Sequence, residues 1–253
     1  MRASSIMFRL RMWIQIAIVV LGFWAPWLYI PSFNVLDFGS RISTLEWLAL
    51  EISRLGIVRF TYATPIVIVV GAIAAFLGAL FRVWGAAYLG YFTVHHAEMQ
   101  AGGVVAAGPY RYVRNPLYLG AWFMMAAISL LMPPTGALFV MALETFFLVR
   151  TILSEEAFLS MQLGDPYREY LRTVPRLIPR LRSSLPRVAA WPDWPIALLT
   201  EINPIGIFFA LAVLSWRYDN LLMIKAVLVS FGLSLVIRGF MRRERGDAAT
   251  KSA

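Results

Sequence analysis

The chain has 253 residues, of which 60% are hydrophobic and 15% are charged, and its mean hydropathy is +0.69. A soluble domain of this length is far less apolar, so the composition indicates a membrane protein with several spans. The formal charge of +9 does not indicate nucleic-acid binding, because the arginines lie beside apolar runs rather than on one soluble module. The absence of cysteine excludes disulfides, thiolate catalysis and the usual structural zinc sites.

Six apolar runs predict the architecture, and they cover residues 12–30, 64–81, 118–132, 135–152, 202–216 and 221–237. Pro133 and Pro134 separate the third run from the fourth, and residues 217–220 separate the fifth from the sixth; such short connectors predict helical hairpins. The first run is too long for a signal peptide and lacks a clear cleavage site. We therefore predict one all-α integral membrane domain over 1–253, with about six transmembrane helices that include two hairpins.

The distribution of basic residues predicts the orientation. Of the 23 lysines and arginines, eighteen fall on one face of this topology, in the two tails and in the loops 82–117 and 150–201. The positive-inside rule places that face in the cytoplasm, together with both termini. The expected location is the inner membrane of a bacterium. The segment 31–63 is long and partly amphipathic, so it either lies along the interface or contains a re-entrant piece.

Residues 108–120 are the most unusual stretch, with two arginines, three tyrosines, two prolines and two glycines directly before an apolar run. Pro116 suits the first turn of a helix, because the N–H that proline lacks would be unpaired there. Arg111 and Arg114 would then lie beside the free N–H groups of that turn, which favours binding of a carboxylate or phosphate. An equally good interpretation is an anchor at the membrane interface, where Arg and Tyr are common.

Two adjacent carboxylates, Glu155 and Glu156, follow the fourth run. Neighbouring side chains on a helix point about 100° apart, so we expect the two to have separate partners. Tyr118 lies fifteen residues before Pro133, and Glu155 lies twenty-one residues after Pro134. At about 1.5 Å per residue both return to the same face, and the fourth helix extends about 8 Å beyond the third.

This geometry predicts a pocket walled by the fourth helix, floored by the third and roofed by loops, in which Arg111, Arg114, both glutamates and several tyrosines meet. The alternative is a structural Arg–Glu pair that holds two helix ends together, which does not exclude ligand binding. Tyr167 and Tyr170 follow a Gly-Asp-Pro turn and would share one face of a helix. They either cover a ligand or serve as interfacial aromatics.

Several motifs, in order, resemble the isoprenylcysteine carboxyl methyltransferase family, a group of integral membrane methyltransferases related to the phospholipid methyltransferases. They are Gly108-Pro109-Tyr110, Arg114-Asn115-Pro116-Leu117-Tyr118-Leu119-Gly120, Glu155-Glu156, Gly164-Asp165-Pro166-Tyr167-Arg168-Glu169-Tyr170 and Val174-Pro175. The resemblance covers residues 76–179 as a methyltransferase-like core and leaves 196–240 as an extra C-terminal hairpin. Asn115 stands where the family has His, and Asn cannot take a proton near neutral pH.

The resemblance implies S-adenosylmethionine as cofactor at the cytoplasmic face, and methyl transfer to a lipid or lipidated acceptor that is isoprenylcysteine-carboxylate-like or phospholipid-amine-like. Arg suits the carboxylate of this cofactor, Glu suits its ammonium or ribose hydroxyls, and tyrosine faces suit its sulfonium and adenine. Arg114, Glu155 and Glu156 are the implied catalytic residues. The implied cofactor-binding residues are His95, Gly108, Pro109, Tyr110, Tyr112, Arg114, Asn115, Pro116, Tyr118, Glu155, Glu156, Tyr167 and Tyr170.

Two other functions compete with this one. One is an NADPH-dependent membrane reductase of a sterol-like or enone lipid, which has a similar Arg/Pro/Tyr motif near a helix start; the other is a non-catalytic relative, for which Asn115 is the only hint. The carboxylate pair and the downstream Gly-Asp-Pro-Tyr pattern favour the methyltransferase. We expect no metal site, because His95 and His96 would point apart on a helix and the chain has no other histidine.

Overall fold

The computed structural model describes residues 5–24, 42–94, 106–183, 185–186, 190–214 and 219–251. In these ranges the regular structure is entirely helical, which confirms the predicted all-α class. The helices are α1 (Ser5–Phe23), α2 (Thr44–Arg54), α3 (Phe60–Val94), α4 (Pro116–Ser129), α5 (Pro134–Leu163), α6 (Asp165–Thr173), α7 (Trp194–Thr200), α8 (Ile202–Phe209) and α9 (Asn220–Lys251).

Within these ranges, two helices have the length and hydropathy to cross a bilayer, namely Phe60–Leu89 of α3 and Pro134–Leu163 of α5. A third crossing is formed if α7 and α8 are one span, bent by 66°. The apolar parts of α1, α4 and α9 are shorter than the roughly 20 residues that a perpendicular span needs. The protein is therefore an integral membrane protein, and the number of six crossings stays a prediction.

The predicted hairpin between the third and fourth runs is confirmed. The helix α4 begins at Pro116 and ends at Ser129, and α5 begins at Pro134, so both helices have proline in the first turn. The helix α5 continues past the apolar run to Leu163, and Glu155 and Glu156 consequently lie inside it. Both glutamates are about 30 Å from its start, a distance close to the thickness of the hydrocarbon layer.

The helix α3 corrects one of our expectations. It runs to Val94, so Arg82 is part of a helix rather than of the loop we predicted from residue 82. Close packing at small residues holds α3 against α4, since a Cβ atom on Gly120 would meet the Cγ of Arg82 at 2.6 Å and one on Gly85 would meet Leu117 at 3.0 Å. The start of α4 therefore rests directly on α3.

The described part of the segment 31–63 contains the amphipathic helix α2. A capping box begins it, in which the Ser43 hydroxyl accepts from Glu46 N and the Glu46 carboxylate accepts from Ser43 N. Leu45 and Ala49 of α2 pack on Ala63 and Val67 of α3. The N–H groups of Thr44 and Leu45 donate to the carbonyls of Met132 and Leu130, so α2 is docked on the α4–α5 hairpin.

Glu144 is a buried carboxylate that the sequence analysis did not identify. It lies fully buried about 15 Å along α5, and the Gln15 Nε2 of α1 donates to its Oε1 at 2.8 Å. A polar pair at this depth is directional, unlike the apolar contacts around it, and it fixes how α1 seats on α5.

The C-terminal hairpin packs on the core through α8 and α9. The Ser230 hydroxyl of α9 donates to the Asn203 carbonyl at 3.1 Å, and Gly206 leaves the space that Ser230 occupies. Ile207, Leu211 and Met223 join the main apolar cluster together with residues of α3 and α4. Residues 215–218, which form most of the predicted connector, lie outside the described ranges.

Candidate functional site

A tight turn at residues 108–111 leads into the site. Gly108 has a φ of +53°, and a Cβ atom there would clash with the ring of Tyr88, so only glycine fits. The turn directs Tyr110 inward, where its hydroxyl donates to the Gly85 carbonyl at 3.3 Å and its carbonyl accepts from the Tyr170 hydroxyl at 2.8 Å. Residues 108–110 are thereby fixed between α3 and α6.

Three tyrosines form the packed interior of this region. Tyr110, Tyr167 and Tyr170 are buried together with Leu163, and the rings of Tyr167 and Tyr170 lie 5.7 Å apart. Burial raises the pKa of all three, and the carboxylate of Glu156 adds to the rise for Tyr167, whose pKa is about 12. All three are therefore neutral phenols at physiological pH.

A carboxylate between two guanidinium groups lies beside the tyrosines. Glu156 accepts from Arg114 Nη1 at 3.2 Å and from Arg176 Nη2 at 2.8 Å, and its own side chain is almost fully buried. Asn115 Nδ2 adds a longer contact of 3.4 Å. Hydrogen bonding to Glu156 raises the pKa of Arg176. Both oxygens of Glu156 thus have charged partners, while the Nε of Arg114 is buried without a hydrogen bond among the described residues.

The two glutamates have separate partners, as expected from their angle on the helix. Glu155 Oε1 accepts from the Tyr118 hydroxyl at 2.6 Å, and this is its only hydrogen bond within the described part of the chain. The sequence did predict that Tyr118 and the glutamates meet at the ends of α4 and α5. The second oxygen of Glu155 is consequently the better candidate for contact with a ligand.

Residues 174–183 and 185–186, here called the connector, pack against the entry to α4. The N–H of Arg114 donates to the Pro175 carbonyl at 2.9 Å, and the N–H of Arg180 donates to the Tyr112 carbonyl at 3.0 Å. Asn115 Nδ2 donates to the Arg176 carbonyl at 3.2 Å. Arg176 is the site residue that the sequence analysis missed, since the connector offered only a basic and proline-rich composition.

Several candidate residues lie away from this centre. Arg111 does not join the glutamates, contrary to our expectation; its Nη2 donates to the Leu185 carbonyl at 2.5 Å, and its guanidinium lies over Tyr112. The Tyr112 ring packs on Trp84 at 6.0 Å. Pro109 and Pro116 are fully buried and fix the backbone. His95, with its neighbours His96 and Glu98, lies outside the described residues.

This centre offers donors for an anionic group and acceptors for a cationic group or a hydroxyl. Arg114 has an unsatisfied buried N–H at the N-terminus of α4, where anions are favoured, and Glu155 has a carboxylate oxygen to spare. The Tyr167 hydroxyl makes no hydrogen bond among the described residues, and it lies close enough to Glu156, Arg114 and Glu155 to sense their charges. Within the described ranges no group of three or more His, Asp or Glu residues could hold a metal ion.

Comparisons with known proteins agree with the resemblance seen in the sequence. Residues 66–166 match the phospholipid methyltransferase family, and this segment contains Gly108, Arg114, Glu155 and Glu156. The methanethiol S-methyltransferase of Crocosphaera subtropica (strain ATCC 51142 / BH68) is 36% identical over 70 residues, which are 28% of this chain and 27% of that protein. The match thus covers about a quarter of the relative. No solved structure matches the chain significantly.

Proposed function

We propose that the protein is an S-adenosylmethionine-dependent methyltransferase that acts at the membrane on a lipid or lipidated acceptor. The observation that carries the proposal is the convergence of Arg114, Glu155 and Glu156 at the membrane edge, inside the segment that matches the phospholipid methyltransferase family. The matches support membrane methyl transfer and do not favour the reductase.

The residues of the site have different roles in this proposal. Arg114 binds the cofactor carboxylate through its unsatisfied N–H and the N-terminus of α4. Glu155 binds the ammonium or the ribose hydroxyls, while Tyr118 orients it. Glu156 has no oxygen left over and instead holds Arg114 in place. The face or hydroxyl of Tyr167 covers the cofactor.

When bound, S-adenosylmethionine supplies an electrophilic methyl group, which an acceptor lone pair takes as the carbon–sulfur bond breaks. This chain's contribution is to hold the acceptor in line with that methyl group, because positioning provides most of the rate in such a displacement. The buried tyrosines pack with Leu163 and Val174, and in this proposal they keep water from their side of the centre. With pKa values above their usual range, the tyrosines remain protonated and do not serve as bases near neutral pH.

The acceptor comes from the membrane in this account, and the cofactor comes from the cytoplasm. The site lies at the end of α3 and α5 at which the chain has its excess of arginines, which supports a cytoplasmic position at a bacterial inner membrane. The relative's name gives a second acceptor class, a small thiol. A lipid amine or carboxylate and a thiol differ in the atom methylated, so a single assay separates them.

The experiment is methyl transfer by the purified full-length protein in nanodiscs, with methyl-labelled S-adenosylmethionine. Bacterial total lipid extract, farnesylated N-acetylcysteine and dodecanethiol serve as separate acceptors. We expect label in one of these products, and its loss in Glu155→Gln but not in Glu51→Gln, which alters an exposed ion pair with Arg54. Oxidation of NADPH with an enone lipid, without any methylated product, would overturn the proposal.

A further inference from the structure

A second ion pair links the C-terminal hairpin to α3 beside the site. Arg82 Nε donates to Glu201 Oε2 at 2.6 Å, and Arg82 Nη2 donates to Glu201 Oε1 at 3.0 Å, so the contact is bidentate. The Glu201 side chain is 8% exposed and that of Arg82 is 23% exposed. The contact between Arg82 and Glu201 has the fork-to-carboxylate geometry, which constrains both the direction and the length of its two hydrogen bonds.

This pair lies close to the candidate site. Gly85, the carbonyl of which binds the Tyr110 hydroxyl, follows Arg82 by one helical turn on α3. The stem of Arg82 packs on Gly120, one turn into α4. Burial is the main cause of the raised pKa of Tyr110, and the charges of Glu155, Glu201 and Arg82 have smaller effects on it, so this phenol is near both the site and the ion pair. Arg82 is about 33 Å along α3, at the same membrane edge as Glu155.

Glu201 occupies a special place in the fold. It is the single residue between α7 and α8, where the apolar chain bends by 66°. A second tie joins the same region to α3, because the N–H of Asp193 donates to the Ala87 carbonyl at 2.9 Å. The residues 194–214 lie beyond residues 66–166, the segment that matches the phospholipid methyltransferase family.

Stability alone is a weak explanation for this partly buried ion pair. Apolar residues of similar volume hold helices together as well or better, because taking two charges out of water is costly. An ion pair is directional, unlike apolar contacts, so it fixes the bend at one position along α3. The two helices that meet at the bend are apolar and together form a candidate membrane span, so a lipid-borne acceptor would approach the site along them.

We propose that Arg82 and Glu201 are positioning residues for the acceptor, and that they fix the α7–α8 bend as the membrane-side wall of the candidate site. The proposal rests on the proposed methyltransferase function. It predicts that loss of the pair weakens acceptor binding and leaves cofactor binding unchanged, since the proposed cofactor contacts are to Arg114 and Glu155 and not to this pair. A purely structural pair would instead affect both equally.

The first test compares Glu201→Gln with the parent in nanodiscs, with the acceptor that the parent methylates. We expect the acceptor KM to rise about tenfold or more, as for other displacements remote from the chemistry, while the Kd of S-adenosylhomocysteine is unchanged. Glu201→Asp and Arg82→Lys should give smaller effects of the same kind. The double exchange Arg82→Glu with Glu201→Arg should recover part of the loss. Glu51→Gln, in the exposed pair with Arg54, is the matched control and should leave KM unchanged.

A second measurement does not depend on activity. Spin labels at cysteines introduced in place of Leu80 and Leu198, both exposed side chains on α3 and α7, report how firmly the bend is held. We expect a narrow distance distribution in the parent and a broad one in Glu201→Gln. If the distribution stays narrow in the variant, the positioning role is wrong even when methyl transfer is intact. If the distribution broadens in Glu201→Gln while the parent transfers no methyl group, the role of the pair in holding the bend is supported and the proposed methyltransferase function is wrong. Unchanged KM in all variants, or KM and cofactor Kd worsening together, overturns the proposal.

Discussion

Arg114 and Glu156 approach to 3.2 Å where the first turn of α4 meets the last third of α5. The Arg114 backbone N–H also binds the Pro175 carbonyl, so one residue joins two helices and the connector. Because Glu156 is bound by Arg176 as well, its negative charge is shared between two cations. This relationship engages both oxygens of Glu156, whereas Glu155 accepts only from Tyr118 within the described ranges, so Glu155 is the glutamate that we propose contacts a ligand.

The first prediction separates Glu155 from Glu156. Glu155→Gln should weaken binding of S-adenosylhomocysteine by about 1.5–3 kcal/mol, the range for a hydrogen bond to a charged group, without lowering the thermal midpoint. Glu156→Gln should lower the thermal midpoint in detergent, because it leaves two guanidinium groups without their shared carboxylate. Calorimetry and thermal unfolding of both variants check this. If Glu155→Gln and the parent bind S-adenosylhomocysteine equally well, Glu155 does not contact the cofactor.

The second prediction concerns Arg114→Lys. An ammonium keeps a positive charge near Glu156 but loses the planar fork and the Nε–H that is unsatisfied in the structure. The variant should remain folded and bind S-adenosylhomocysteine at least about tenfold more weakly. Arg111→Lys is the matched control, since Arg111 contacts the Leu185 carbonyl instead of a glutamate, and it should retain cofactor affinity. Full activity of Arg114→Lys would instead support the interpretation of Arg114 as an anchor at the membrane interface.

The third prediction concerns Asn115. Its amide donates to the Arg176 carbonyl at 3.2 Å, so it attaches the connector to the start of α4. Asn115→Ala should cost about 1 kcal/mol of stability or cofactor affinity, as for one neutral hydrogen bond. Asn115→His should bind the cofactor like the parent. The measurement is methyl transfer and calorimetry on both; an inactive parent revived by Asn115→His would identify a relative that has lost catalysis.

The fourth prediction is a loss of stability in alkali. The pKa of Tyr167 rises from 10.0 to about 12 on burial and beside Glu156. The folded state therefore holds this proton more tightly than the unfolded state, so the contribution is fully present below pH 10 and is lost as the pH rises towards 12. Over this pH window, the free energy of unfolding of Tyr167→Phe should fall by about 1–3 kcal/mol less than that of the parent. Identical slopes for the variant and the parent would contradict this.

Regular helix geometry made part of the site predictable from the sequence. The Pro133-Pro134 turn fixed the hairpin, and the residue count from it to Tyr118 and Glu155 placed both side chains at the same end of the hairpin, where they form a hydrogen bond. The first turn at Pro116 followed from the chemistry of proline alone. These are local or periodic properties, which can be recognised in a single sequence.

Other parts depended on contacts between distant segments. Arg82 was assigned to a loop because hydropathy falls there, whereas α3 continues and brings the side chain against Glu201, 119 residues away. Arg176 had no periodic signal, and its partner is twenty residues distant in the chain. Arg111 and Arg114 have similar sequence surroundings, yet the turn at residues 108–111 directs only Arg114 to the glutamates.

Calorimetric titration of the purified chain with S-adenosylhomocysteine and, separately, with NADPH tests the central claim most directly. Our account predicts saturable binding of S-adenosylhomocysteine to the parent, weakened in Glu155→Gln and in Arg114→Lys, and no binding of NADPH. Saturable binding of NADPH, or binding of S-adenosylhomocysteine that neither substitution weakens, would contradict it.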